Sequence, residues 1–293
     1  MHIARVLWVL AALRGPLPAS TAAAATTEWR ALAPGVDHAE LVSTGAASPV
    51  APASGRFHVV RIDPKRARLR AVMASQATAP AERQARTAAA WCQRERLVAA
   101  INLGMFLDDN VRNVGHAESA GHVNQPRWVG KYKSALAFAP RRPGLPAAVM
   151  VDLDAPGARA KLADYGTVIQ NLRLIKGPGQ NVWSEPAGQP PRRWSEAAVA
   201  LDRDGRVLFL FARAPYSMAE FNRRVLALPL GITHAMHVEG GPEASLSLCT
   251  RQHRLDLNGS YETGFVEDER VTEQWPIPNV LGVEAAPPPT STK

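Results

Sequence analysis

Leu97-Val-Ala-Ala-Ile-Asn-Leu-Gly-Met-Phe106, read together with Met236-His-Val-Glu-Gly-Gly-Pro-Glu-Ala-Ser-Leu-Ser-Leu248, decides the fold. Each segment is a short, largely apolar run that reaches a polar residue with glycine close behind. A buried β-strand reads this way, as an apolar run of a few residues bounded by turn signals. Two such strands would carry Asn102 and Glu239 to their carboxyl ends and set polar groups on a rigid sheet, which a binding or catalytic site needs. The two strands are expected in one sheet or in two facing sheets. Asn102 and Glu239 are then expected to open into one pocket, with Arg193 at its rim.

Working outward, Val36 to Val42 and Gly55 to Ile62 read as strands. Ala67 to Met73 alternates and is expected to pair with the preceding strand across the Asp63-Pro-Lys turn. Ala81 to Arg94 is Ala-rich and follows Pro80, a natural helix start. Residues 107–134 are polar and Gly-punctuated, which suggests a long loop or irregular hairpins over the site. Ala147 to Leu153 and Gly166 to Ile175 are further strands. Ala197 to Leu201 and Arg206 to Phe211 flank Asp202-Arg-Asp-Gly205, a strong hairpin signal. Ser217 and Glu220 form a capping box that opens a helix running to about Leu228. Many strands and only two good helices give an α+β class: a single domain of mixed or antiparallel sheets.

The domain is expected over residues 36–284. Before it, residues 1–25 read as an export signal: Arg5, the apolar run Val6 to Leu13, then small residues suited to cleavage. Residues 26–35 read as a linker and 285–293 as a disordered Pro-rich tail. The expected location is therefore secreted or periplasmic, and no run is long enough to span a bilayer. The chain has 293 residues, 46% hydrophobic and 20% charged, so wholesale disorder is excluded. Its formal charge of +8 makes an anionic partner plausible. The arginines are scattered, and no zinc finger, RNP-like motif or basic helix occurs, which argues against nucleic acid. Cys92 and Cys249 can pair or stay free; the spacing forces neither.

Glu239 is the first candidate carboxylate, because it ends a buried strand. Asp202 also ends a strand, although the adjacent Asp-Gly turn offers it a local role. Glu243 lies near Glu239, beyond Pro242. On a strand, His237 and Glu239 point to one face and His234 to the other. This breaks the His/Glu string as a chelating set and leaves His237 as an acid–base neighbour of Glu239. No metal site is expected, and no cofactor; a divalent cation has no support in the spacing. Arg192 and Arg193 offer planar forks for a phosphate. Gly240 and Gly241 let backbone N–H groups approach an anion. Asn102 can hydrogen-bond a ligand's hydroxyls or orient a carboxylate, Gly104 lets the chain turn, and Phe106 packs beneath or stacks on a ligand ring. Gly-Pro-Glu-Ala-Ser245 is no nucleophile elbow.

These segments carry a resemblance. The first looks like the N-x-G-x-F block of the phosphodiester glycosidase family. The second resembles that family's late Asn-Leu-Asp-Gly-Gly-Gly block, with His237 where Asn is usual, Glu239 where Asp is usual, Pro242 for the third glycine and Glu243 for a hydroxyl residue. Gly55 to Pro64 is similar to its opening strand. Arg193 to Leu208 is similar to its Arg block and hairpin, which puts Arg193 at the phosphate. The resemblance implies an exported hydrolase of a sugar phosphodiester or related glycoside, with a phosphorylated or anionic glycan as partner. The departures leave a second expectation: a binding module of the cell envelope that holds such a glycan without cutting it. Oligomeric state is left open.

Overall fold

The computed structural model describes residues 28–43 and 55–285. The expected export signal lies outside them, as does the expected tail apart from Ala285. In chain order the strands are β1 (Arg30–Ala33), β2 (Val36–Val42), β3 (Arg56–Ile62) and β4 (Ala67–Met73), then helix α1 (Ala88–Arg94). β5 (Ala99–Asn102), β6 (Ala117–Ser119), β7 (His122–Gln125), β8 (Ser134–Pro140) and β9 (Ala148–Asp152) lead to helix α2 (Ala158–Leu162). β10 (Tyr165–Lys176), β11 (Gln180–Asn181), β12 (Trp194–Asp202) and β13 (Val207–Tyr216) precede helix α3 (Met218–Ala227). β14 (Ile232–Gly240), β15 (Ser245–Cys249), β16 (Arg254–Asn258) and β17 (Asn279–Ala285) complete the fold.

The strands form two sheets. In the larger, the path runs β1-β2-β3-β13-β12-β14-β10-β6-β7, with β8 and β11 also on β10, and β9 on β8. The smaller has the order β16-β15-β5-β17-β4. Among the described residues every pairing of these strands is antiparallel. The α+β expectation therefore stands in outline, but the protein is β-rich and its few helices are outer covers. No described helix is long and apolar enough to cross a membrane.

Period-two patterning explains the layering. Val207, Phe209 and Phe211 of β13 join Val199 and Leu201 of β12, Met236 and Val238 of β14, and Ile101, Leu246 and Leu281 of the smaller sheet in one core. The alternate residues of the same strands, Leu208, Leu210, Ala198 and Ala200, pack on the outer face with Phe221 and Val225 of α3. Ala100, Val72 and Val280 face outward from the smaller sheet, beneath Trp91 and Cys92 of α1. Both faces of the central strands are thus buried, which is why β12 and β13 read as near-continuous apolar runs. β5 and β14 lie in facing sheets.

Three expectations are adjusted. β4 does not pair with β3, because β2 and β13 occupy both edges of β3; the Asp63 turn carries the chain into the other sheet, where β4 pairs with β17. The helix over Ala81 to Arg94 shrinks to α1: Pro80–Glu82 is a 3-10 turn, and Thr87 Oγ1 caps α1 by accepting from Ala90 N at 3.1 Å. Within the stretch read as a linker, Arg30–Ala33 is a strand, because Pro34 and Gly35 turn it back onto β2 with Gly35 at φ +77°. The long segment over the site contains the β6–β7 hairpin. Cys92 and Cys249 are bonded, tying α1 to β15 with a Cα–Cα distance of 6.2 Å.

Candidate active site

β12 and β14 are neighbours in the centre of the larger sheet, and the site grows from one irregularity between them. Glu239 lies opposite Ala197 and His237 opposite Ala198, so β14 holds one extra residue, Val238. A bulge of this kind re-aims side chains. Here Val238 stays in the core, while His237 and Glu239 both reach a cavity of about 660 Å³.

Glu196 interrupts the apolar run of β12 near its start and is almost fully buried. Its Oε1 lies 2.6 Å from His237 Nδ1, and its Oε2 accepts from Trp194 Nε1 at 2.6 Å. A carboxylate only accepts, so Nδ1 carries the proton and Nε2 is the ring nitrogen left for a ligand. Burial opposes a charge on His237, but Glu196, Glu239 and Glu262 outweigh it and hold the pKa above the ordinary histidine value. Trp194 meets the His237 ring edge-on at 6.3 Å between centroids. Gly240 makes room for this indole, since a Cβ there would sit 2.6 Å from Trp194 Cδ1.

Glu239 has a different environment. It is 9% exposed, and its Oε1 accepts from Gly240 N at 3.1 Å. Burial, reinforced by Glu243 and Glu196 and opposed by His237, pushes its pKa up to about 8. It therefore keeps its proton at neutral pH, as a general acid must. Glu243 ends the 3-10 turn Gly241–Glu243, with Pro242 inside that turn. Its pKa is raised as well, by burial first and then by Glu262.

Leu172 of β10 and Met218 of α3 add to the wall, and the rest comes from two loops. Met105, Phe106, Leu107, Asp108, Asn110 and Val114 line the cavity from the segment after β5, which folds back on itself through Leu107 N–Arg112 O and Val114 N–Met105 O bonds. Glu262 enters from the segment between β16 and β17, bridged to Trp194 and Val266. Among the described residues, no group of three or more His, Cys, Asp or Glu is arranged to hold a metal ion.

Of the residues singled out in the sequence, Glu239, Glu243, His237, Gly240 and Phe106 line the cavity. Asn102 stands behind the wall: its Nδ2 donates to Glu243 O at 3.0 Å and its Oδ1 accepts from Ser245 N at 2.8 Å. It thereby ties β5 to the Glu243 turn. Gly104 packs against the Asn171 and Asn113 side chains, where a Cβ would not fit. Gly241 has φ +68°, and the Glu262 carboxylate lies against it. Asp202 sits at the opposite end of β12, about 20 Å from Glu196 at the usual rise per residue. Its Oδ1 accepts from Asp204 N and Arg206 N and its Oδ2 from Arg206 Nε, the local turn role. Arg193 donates to Glu220 at 2.7 Å and does not line the cavity, and Arg192 is exposed. Sequence reading passed over Glu196, Trp194 and Glu262 as site residues. For Glu196 a signal existed: a lone carboxylate in an otherwise apolar central strand. For Glu262 there was none, because its loop has no periodicity.

A sequence model of the phosphodiester glycosidase family matches residues 95–284. No curated protein sequence matches the chain. A solved structure from zebrafish, the catalytic domain of N-acetylglucosamine-1-phosphodiester alpha-N-acetylglucosaminidase auto-inhibited by its pro-peptide, superposes with a TM-score of 0.56 at 12% identity. That match covers 86% of this chain and 89% of the zebrafish chain. A hypothetical protein from Synechocystis superposes with a TM-score of 0.55 at 15% identity over 86% of this chain. The match spans 62% of the Synechocystis chain. At these identities the structures speak for the fold, and the family follows from the sequence model, which spans the strands that build the cavity. The chain belongs to the phosphodiester glycosidase family.

Proposed function

We propose that this protein is a hydrolase that cleaves a sugar phosphodiester or related glycosidic bond, with Glu239 as the proton donor. The observation that carries the reading is the environment of Glu239: a buried carboxyl, pushed up to about 8, that opens into a cavity beside a His237–Glu196 pair. Glycoside cleavage uses two carboxyl groups, one protonated and one ionised. Glu239 gives its proton to the departing oxygen as the bond from the sugar C1 breaks. Water supplies the new oxygen on C1, and Glu243 takes the proton that water loses. Burial makes Glu243 a stronger base than an exposed carboxylate. His237 Nε2 donates to the sugar, its ring fixed by Glu196. Arg193 has no part in this scheme, being held by Glu220.

The zebrafish relative is named for N-acetylglucosamine, so α-linked N-acetylglucosamine is the first sugar to try. Export is part of the proposal. It is supported by the leader-like first 25 residues and by the Cys92–Cys249 bond, which suits an oxidising compartment. The test is release of free N-acetylglucosamine from two probes, methyl α-N-acetylglucosaminide and N-acetylglucosamine α-1-(methyl phosphate). Wild-type protein should act on at least one, and Glu239→Gln at unchanged folding should not. Release from neither probe sinks the hydrolase reading, and full activity in the variant removes Glu239 as its proton donor.

A further inference from the structure

We infer that the group leaving from the sugar is an uncharged alcohol rather than a phosphate. This rests on the hydrolase reading and narrows its substrate. The first support is the charge of the wall. Asp108, Glu243 and Glu262 line the cavity beside the protonated Glu239, and among the described residues His237 is the one lining side chain able to carry positive charge. That charge already faces Glu196 at 2.6 Å. The nearby arginines are engaged with carboxylates: Arg193 with Glu220 at 2.7 Å, and Arg112, on the Asp108 loop, with Asp109 at 2.6 Å.

The backbone offers little to an anion either. Gly240 N donates to the Glu239 carboxyl, and the Glu262 carboxylate lies against Gly241. A phosphodiester there would meet carboxylates where it needs cations, and like charges in a shielded cavity repel strongly.

The second support is the acid itself. A phosphate departs as a stable anion and needs little protonation. An alkoxide departs only as it receives a proton, so a carboxyl held protonated at neutral pH is matched to an alcohol. The step balances: the C1–O bond breaks, the alcohol oxygen gains the Glu239 proton, and water gives hydroxide to C1 and a proton to Glu243. Proton exchange with solvent restores both carboxyls. Neutral and amine-bearing aglycones fit this wall; phosphorylated ones do not.

The two methyl probes, which share the same sugar, decide the matter. The neutral methyl glycoside should show a kcat/KM at least about tenfold higher than the methyl phosphodiester, the scale expected of like-charge rejection. Turnover of the phosphodiester should rise with added salt, as repulsion is screened, while the neutral probe stays indifferent. Asp108→Arg, on an exposed loop position, should raise the ratio of phosphodiester to neutral turnover. Equal or faster cleavage of the phosphodiester, or phosphodiester turnover switched on by magnesium or calcium, overturns the inference and leaves the hydrolase reading standing. If neither probe releases sugar, the hydrolase reading falls, and calorimetry with the same probes still ranks the cavity. Tighter binding of the neutral probe supports an uncharged ligand; tighter binding of the phosphodiester, or of neither, overturns it.

Discussion

Glu196 Oε1 lies 2.6 Å from His237 Nδ1 across the β12–β14 pair, and both side chains are buried. A buried carboxylate is costly unless it is paired, and a buried imidazolium equally so. Each therefore makes the other's charge tolerable, and Trp194 Nε1 satisfies the second carboxylate oxygen.

Glu196→Gln breaks that exchange with little change of shape. An amide cannot hold the imidazolium, so burial then governs His237 and its pKa drops. The expected result is a fall in kcat on the order of 10²-fold, the scale of a single acid–base contribution. Titration of the His237 ring by NMR should show the shift. An unchanged ring titration would mean that Glu196 does not hold the charge.

Glu239 ties activity and stability to pH in the same direction. Its folded pKa of about 8 exceeds the ordinary carboxyl value, so the folded protein binds a proton that the unfolded chain has released. Unfolding free energy then falls as pH rises from the ordinary carboxyl range and levels off above about 8. The cumulative effect is a few kcal/mol. Activity should decline over the upper part of the same window, as the donor loses its proton. In Glu239→Gln the pH dependence of denaturant unfolding should flatten, with stability near pH 8 above that of the wild type. A wild-type protein more stable at pH 8 than at pH 5 would contradict the assignment.

Much of this was legible in the residues. The Asp-Gly hairpin, the Ser217 cap of α3 and the apolar runs of β5 and β14 depend on local chemistry and came through. Ser217 Oγ accepts from Glu220 N, although the Glu220 side chain turns to Arg193 and Arg224 instead of closing the box. What stayed hidden depends on distant partners. β4 pairs with β17, more than 200 positions away, because both edges of β3 were taken. The extra residue at Val238 has no sequence mark, since a bulge is defined by the neighbouring strand. The arginines beside the apolar strand read as a phosphate clamp, but Glu220 on α3 claims one of them.

The Cys92–Cys249 bond closes a loop across 157 positions. Its loss frees the unfolded chain, and removal of a native disulfide costs about 2–5 kcal/mol. Cys92→Ser with Cys249→Ser should lower the unfolding free energy by that amount, read from urea denaturation, and reductant should do the same to the wild type but not to the double variant. Neither sulfur lines the cavity, so kcat of the folded fraction should be preserved. A double variant as stable as the wild type would leave the packing of Trp91 and its neighbours as the tie between α1 and the sheet.

Asn102 tests how the smaller sheet governs chemistry on the larger one. Its side chain spans from the end of β5 to both sides of Ala244, donating to Glu243 O and accepting from Ser245 N. Asn102→Ala takes the side-chain acceptor from Ser245 N and leaves Glu243 O with the Ser245 hydroxyl at 3.1 Å, at a cost of about 1–3 kcal/mol. The Glu243 turn loses its brace, so the proposed base moves while the cavity wall of Phe106 and His237 stays. The expected signature is a lower melting temperature and a lower kcat, with KM little changed. Asn102→Asp should not rescue it: one oxygen still accepts from Ser245 N, but the other meets the Glu243 carbonyl with no proton to share. If Asn102 instead bonded the sugar directly, Asn102→Ala would raise KM and leave thermal stability intact. Steady-state kinetics and a melting curve on the same preparation separate the two outcomes.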